Sequence, residues 1–115
     1  MNNLDNLLLS FDTQIKKALE VINNGGIRIA LVVDDNHKLL GTLSDGDIRR
    51  GLLKNYTLED SIKELYFKTP IIALKSESKE KIIQKAIKNQ VYQIPIVDEN
   101  NCLVDIVNLS TLLNV

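Results

Sequence analysis

Ten consecutive residues gather most of the chemistry in the 115-residue chain: Gly41-Thr42-Leu43-Ser44-Asp45-Gly46-Asp47-Ile48-Arg49-Arg50. The run leaves a strand-like segment and enters a helix-like one, an arrangement suited to an anion. Gly41 and Gly46 let backbone approach a ligand, Thr42 and Ser44 offer hydroxyl donors, and the first turn of a helix presents unpaired N–H groups with a partial positive charge. Arg49 and Arg50 add guanidinium groups able to pair with phosphate. Asp47 would repel phosphate, so its place in such a site is against ribose hydroxyls, from which a carboxylate accepts hydrogen bonds. The same residues have a purely structural use, because Ser44 and Asp47 stand at capping-box spacing. The two roles are compatible.

Few other residues suggest reactivity. His37, the single histidine, sits at a polar tip with no second His or Cys nearby, so a solvated side chain is expected. Cys102 has no partner for an internal disulfide and no activating neighbour, which points to a buried, inert thiol. Asp34-Asp35 and Asp98-Glu99 resemble metal ligands, but matching hairpin tips explain them better, since Asp and Asn close tight turns through local hydrogen bonds. No nucleophile and base can be paired, so no catalytic residue, metal site or enzymatic activity of the chain itself is expected.

The elements that position these residues occur twice. Ile29 to Gly41 aligns with Gln93 to Asp105, with Asp34 opposite Asp98, Asn36 opposite Asn100 and Leu39 opposite Leu103, an offset of 98 − 34 = 64 residues. Upstream, Ile15, Ala18, Leu19 and Ile22 mark one helix face, and Ile82, Ile83, Ala86 and Ile87 mark its counterpart. Asn23-Asn24-Gly25-Gly26 ends the first helix. Arg28–Val33 and Lys38–Leu43 read as a hairpin with its tip at Asp34–His37, repeated at Asp98–Asn101. Leu7–Leu9 and Ile71–Leu74 read as opening strands, Asp45–Leu53 and Leu109–Leu113 as closing helices. A linker helix is expected from Thr57 to about Phe67, begun by Thr57 and Asp60 at capping-box spacing. The fold class is therefore α/β (α+β), with two β-α-β-β-α repeats, 1–55 and 56–115, the second including the linker helix. A unit of about 55 residues has little core of its own, so the two pack together around a pseudo-twofold axis and leave clefts between them.

Composition excludes several partners. Charged residues make up 25% of the chain and nearly cancel, for a formal net charge of −1, so no basic surface is available for nucleic acid. No apolar run approaches the roughly 20 residues that span a bilayer. The opening Met1-Asn2-Asn3 lacks a secretion signal, which places the chain in the cytoplasm.

The doubled Val-Val-Asp-Asp-Asn and Ile-Val-Asp-Glu-Asn hairpins, the strand Gln93-Ile94-Pro95-Ile96-Val97 and Gly41-Thr42-Leu43-Ser44-Asp45-Gly46-Asp47 together resemble a CBS domain pair, or Bateman module, over essentially the whole chain. The resemblance implies a regulatory module that binds an adenine nucleotide (AMP, ADP or ATP). Thr42 and Ser44 would meet phosphate, Asp47 the ribose, and backbone near Ile29 and Ala30 the adenine. In the second repeat Asp105 replaces the glycine, Asn108 the serine and Thr111 the aspartate, so one good site at most is expected. Ser44-Asp45-Gly46-Asp47-Ile48-Arg49-Arg50-Gly51 is similar to the pairs fused to bacterial sugar-phosphate enzymes: sugar-1-phosphate nucleotidyltransferases, which carry the pair N-terminally, and arabinose 5-phosphate isomerases, which carry it C-terminally. The early first strand favours the N-terminal part of a nucleotidyltransferase. The resemblance also implies a homodimer and an attached or associated catalytic domain. A module that only dimerises its parent enzyme, without ligand, is the alternative.

Overall fold

The computed structural model describes residues 4–109. A 3-10 turn at Leu4–Leu7 leads into β1 (Leu8–Leu9), α1 (Ile15–Gly25), β2 (Ile29–Val33), β3 (Leu39–Ser44) and α2 (Asp45–Leu53); β4 (Ala73–Leu74), α3 (Lys79–Asn89), β5 (Gln93–Val97) and β6 (Leu103–Asn108) repeat the order. The architecture is mixed α/β, with two three-stranded sheets, β1-β2-β3 and β4-β5-β6, each parallel in its first pair and antiparallel in its second. The internal repeat holds at the level of register. Ile29↔Ser44 is matched by Gln93↔Asn108, Leu9↔Val32 by Ala73↔Ile96, and the irregularity after Val32 by one after Ile96. The opening strands are shorter than their apolar runs suggest, because β1 and β4 each pair over only two residues, and Leu7 falls in the 3-10 turn.

Each helix lays one stripe on its sheet. Ile15, Ala18 and Ile22 of α1 are buried beside Ala30, Val32, Leu43 and Ile48, and α1 stops at Gly26 in a left-handed conformation, φ 78°. In α3, Ile82 and Ala86 are buried with Ala73, Ile94 and Ile96. Ile87, expected on that stripe, is 62% exposed. It lies five residues beyond Ile82, about 140° around the helix and off the buried face. Gln90 caps α3 at φ 55°, in the place Gly26 holds after α1.

The expected linker helix is absent. Residues 56–67 instead spend their backbone groups on the first repeat: Ile15 N donates to Asp60 O (2.8 Å), Ile62 N to Thr13 O (2.8 Å), and Phe67 exchanges both bonds with Thr42 (3.0 and 2.8 Å). Asp60 accepts from Thr57 N at 2.7 Å, so the presumed cap closes a local turn. Ile62, fully buried, plugs the first core, with Tyr56, Leu65 and Tyr66 packed around it. Anchoring that side chain against α1 and the edge of β3 outweighs the few short-range bonds a helix would offer. The linker thus packs with the repeat it follows, although sequence order groups it with the one it precedes.

A third cluster joins the repeats through their sheets: Leu7, Leu31 and Leu39 from the first, Val97 and Leu103 from the second. The hairpin tips stitch the same interface. Asp34 Oδ1 accepts from Asn36 N (2.8 Å) and Lys38 N (2.9 Å), and Asp98 Oδ1 repeats this with Asn100 N and Cys102 N (both 2.9 Å). The turns so formed place His37 and Asn101 at positive φ, 67° and 65°, and aim each tip at the other strand. Leu103 N donates to His37 O and Leu39 N to Asn101 O, both at 3.0 Å. Cys102 lies in this seam half-buried, with Sγ 3.7 Å from Asn36 O, and is less enclosed than its apolar neighbours suggest. No helix among the described residues is long and apolar enough to cross a membrane.

Candidate functional site

The motif that opened the sequence reading lies where β3 hands over to α2. Ser44 is the N-cap of α2: its side chain accepts from Asp47 N at 3.1 Å, and Asp47 Oδ2 accepts from Ser44 N at 2.9 Å, a complete capping box. The structural role read from the spacing is therefore real. Asp47 Oδ1 faces outward and accepts from Arg50 Nη2 at 2.7 Å, with the carboxylate side chain 17% exposed and the guanidinium 67%. One carboxylate oxygen is thus committed to the fold. The other is held by a solvated partner that a ligand hydroxyl can replace at little cost.

The remaining residues of the motif separate. Gly41 is buried against the linker; a Cβ there would collide with the backbone oxygen of Phe67 and lie 2.8 Å from the Tyr66 ring. Its missing side chain admits the chain's own backbone, not a ligand. Thr42 is buried and bonded to Phe67 through its main chain. Ile29 pairs with Ser44 across the sheet, which sets the start of β2 beside the cap, while the side chain of Ala30 is sealed in the first core. Arg49 is exposed on α2, and Arg50 is spent on Asp47.

Two clefts flank the start of β2. One, of about 390 Å³, lies between the end of α1 and the start of α2 and is lined by Leu19, Ile22, Asn23, Gly26, Arg28 and Asp45. The other, of about 420 Å³, opens between the repeats and is lined by Gly26, Ile27 and Arg28 from the first with Tyr92, Gln93 and Asn108 from the second. Gln93 Nε2 donates to Ile27 O at 3.1 Å across the second cleft. Arg28 is common to both. It adopts φ 68°, a conformation that costs a non-glycine residue about 1 to 3 kcal/mol, and its carbonyl accepts from Asp45 N at the head of α2. Sequence reasoning passed over Arg28, Tyr92 and Gln93. The available signal was positional, since Arg28 and Tyr92 occupy equivalent places immediately before the central strands.

The second repeat departs from the pattern. Asp105 is exposed on β6 where the first repeat has buried Gly41, and Asn108 stands in the place of Ser44 at the end of β6. Thr111, the counterpart of Asp47, and most of the expected closing helix Leu109–Leu113 lie outside the described residues. No group of three or more potential metal ligands is found among the described residues. Asp98, whose carboxyl is held below its usual range chiefly by the N–H of Cys102, acts as a turn former.

Two repeated three-stranded sheets, each with a helix laid on it and joined through a shared apolar cluster, define a tandem-repeat α/β module. Residues 5–54 and 62–115 each match the CBS domain family, and the chain belongs to that family. A probable arabinose 5-phosphate isomerase of Haemophilus influenzae is 33% identical over 103 residues, which cover 86% of this chain and 30% of that protein. The CBS domain pair of protein MJ0100, solved with 5'-methylthioadenosine and S-adenosyl-L-methionine, superposes with a TM-score of 0.82 at 23% identity over 94% of this chain and 88% of that one. CBSX2, solved in complex with AMP, superposes with a TM-score of 0.79 at 21% identity over 93% of this chain and 84% of that one. The chain spans between 20% and 36% of the length of the curated relatives it matches.

Proposed function

We propose that this chain is a regulatory module that binds an adenosine-type nucleotide at the head of α2 and transmits occupancy to an enzyme it is attached to or associated with. The observation that carries this reading is the Ser44–Asp47 pair, a hydroxyl and a partly exposed carboxylate fixed by mutual hydrogen bonds on either side of Asp45, which lines the first cleft. A ribose hydroxyl takes the place of Arg50 on Asp47 Oδ1, and the displaced guanidinium, 67% exposed, returns to solvent. The hydroxyl of Ser44 and the positive end of the α2 dipole favour the ligand's phosphate. Backbone at Ile29 and Ala30 faces the base. The ligands seen in MJ0100 and CBSX2, all built on adenosine, support the ligand class. Occupancy regulates through the seam between the repeats, an apolar cluster flanked by hairpin-tip hydrogen bonds. A ligand with unequal affinity for two packings of Leu31 and Leu39 on Val97 and Leu103 shifts the balance between them.

The catalytic partner we favour is a cytoplasmic sugar-1-phosphate nucleotidyltransferase, on the strength of the run from Ser44 to Gly51. A second reading, an arabinose 5-phosphate isomerase, is supported by the Haemophilus influenzae relative. The module pairs with a second copy through its helices, where Leu53 of α2 and Ile87 of α3 are 78% and 62% exposed. Titration calorimetry with AMP, ADP, ATP and GTP tests the binding reading. Saturable heat with an adenine nucleotide, weakened in Asp47→Ala, is expected. Silence from all four, with a stable dimer in sedimentation, leaves a ligand-free dimerisation module in its place.

A further inference from the structure

We propose that Arg28 is the phosphate-charge reader of the cleft between the repeats, the residue that makes the module prefer a nucleoside polyphosphate to a bare nucleoside. The assignment rests on the binding reading above and adds a residue to it. Four observations converge. Arg28 is exposed and lines both clefts, so it is open to a ligand in either. Its backbone is held at φ 68° by a hydrogen bond from Asp45 N, which fixes the residue at the mouth of the capped helix. It makes no ion pair among the described residues, whereas Arg50 is already bonded to Asp47 and Arg49 lines neither cleft. Finally, the other residues around the inter-repeat cleft are Gly26, Ile27, Tyr92, Gln93 and Asn108, all uncharged. A single unneutralised cation among neutral walls is an electrostatic selector for an anion. The planar fork of arginine suits phosphate oxygens in particular.

The pseudo-twofold sharpens the point. Tyr92 fills the place of Arg28 in the second repeat and brings no charge, so the cleft is polarised and a nucleotide enters with its phosphates toward the first repeat. Asp45, a carboxylate on the lining of the neighbouring cleft, disfavours phosphate there, so the phosphates lie on the inter-repeat side of Arg28.

The test is calorimetric titration of the purified chain, Arg28→Gln and the charge control Lys17→Gln with adenosine, AMP and ATP, each variant checked by circular dichroism and thermal melting. Wild type and Lys17→Gln should bind ATP at least about tenfold more tightly than adenosine, the scale of one charge-assisted contact. Arg28→Gln should lose that preference while holding adenosine within about twofold. An Arg28→Gln protein that melts like wild type and keeps the full ATP preference overturns the assignment and leaves the binding reading intact. Equal loss of ATP and adenosine also overturns it, since Arg28 would then be shaping the cleft. If wild type binds none of the three, the binding reading fails and the assignment falls with it. Should Arg28→Gln melt early, Arg28→Lys must restore the ATP preference in part, or the assignment is lost.

Discussion

The two repeats share a fold to the level of hydrogen-bond register and differ in what they carry on it. In the first, a buried glycine at position 41 lets the linker seal the outer edge of β3, and the next turn of chain holds Ser44 and Asp47 in a capping box. In the second, Asp105 and Asn108 occupy the corresponding positions, and a clamp that the first repeat lacks is added to the apolar core. Lys85 Nζ reaches Glu77 Oε1 and Ile72 O, both at 2.9 Å, while Glu77 Oε2 accepts from Leu74 N at 2.8 Å, tying α3 to β4. The equivalent positions in the first repeat are Thr13 and Val21, which cannot make such a pair. The two copies therefore share a backbone frame and differ in the side chains placed on it. One copy is closed by its linker and carries the capping box, while the other carries a charged clamp between α3 and β4.

The strongest way to break this comparison is to remove the plug. Ile62→Ala should cost about 2 to 5 kcal/mol, the range for a truncated core isoleucine, read as a lower urea midpoint. A loss well under 1 kcal/mol would mean that the linker is not part of the first core. Next, Gly41→Ala forces a methyl into the linker backbone and should cost about 1 to 3 kcal/mol, whereas Asp105→Ala at the exposed equivalent should stay within about 1 kcal/mol. Equal effects at the two positions would dissolve the asymmetry.

Asp47→Ala should weaken adenine-nucleotide binding by about ten- to a hundredfold, equivalent to roughly 1.5 to 3 kcal/mol of charge-assisted hydrogen bonds. Loss of the capping box adds a stability cost of about 1 kcal/mol, so affinity should be measured well below the melting transition. Asn108→Ala, at the weakened motif, should change affinity by less than about threefold.

The smallest effect concerns the clamp. The N–H of Leu74, and then Lys85, hold the carboxyl of Glu77 below its ordinary value of 4.5. A carboxyl whose folded pKa is depressed stabilises the fold above its unfolded pKa, and that contribution is lost as pH falls through the folded value. Glu77→Gln should therefore melt slightly below wild type at pH 7, by less than about 1 kcal/mol for a partly exposed pair, with the gap closing as pH falls below the ordinary value of 4.5. A gap that persists in acid would assign the effect to packing instead of charge.

Local regularities were legible in the sequence because they are enforced over short distances. The periodicity of Ile15, Ala18 and Ile22 set α1, the Ser44–Asp47 spacing set the start of α2, and the doubled Asp-x-Asn tips set the hairpins. The internal repeat carried these into a two-sheet architecture, and the family followed. Neither the path of residues 56–67 nor the reason for Gly41 could be read the same way. Both depend on one backbone meeting another, and Thr57 with Asp60 satisfies a turn as well as a cap. The roles of the arginines were likewise decided only in three dimensions. Arg50 is drawn to Asp47 one helical turn away, while Arg28, isolated in sequence, is set by a left-handed residue and a helix start where two clefts meet. Sequence determines which groups are available and how neighbours within a turn satisfy one another. Which of them face a common space is decided by the packing of repeats far apart along the chain, because hydrogen-bond spacing is a local constraint and proximity across an interface is not.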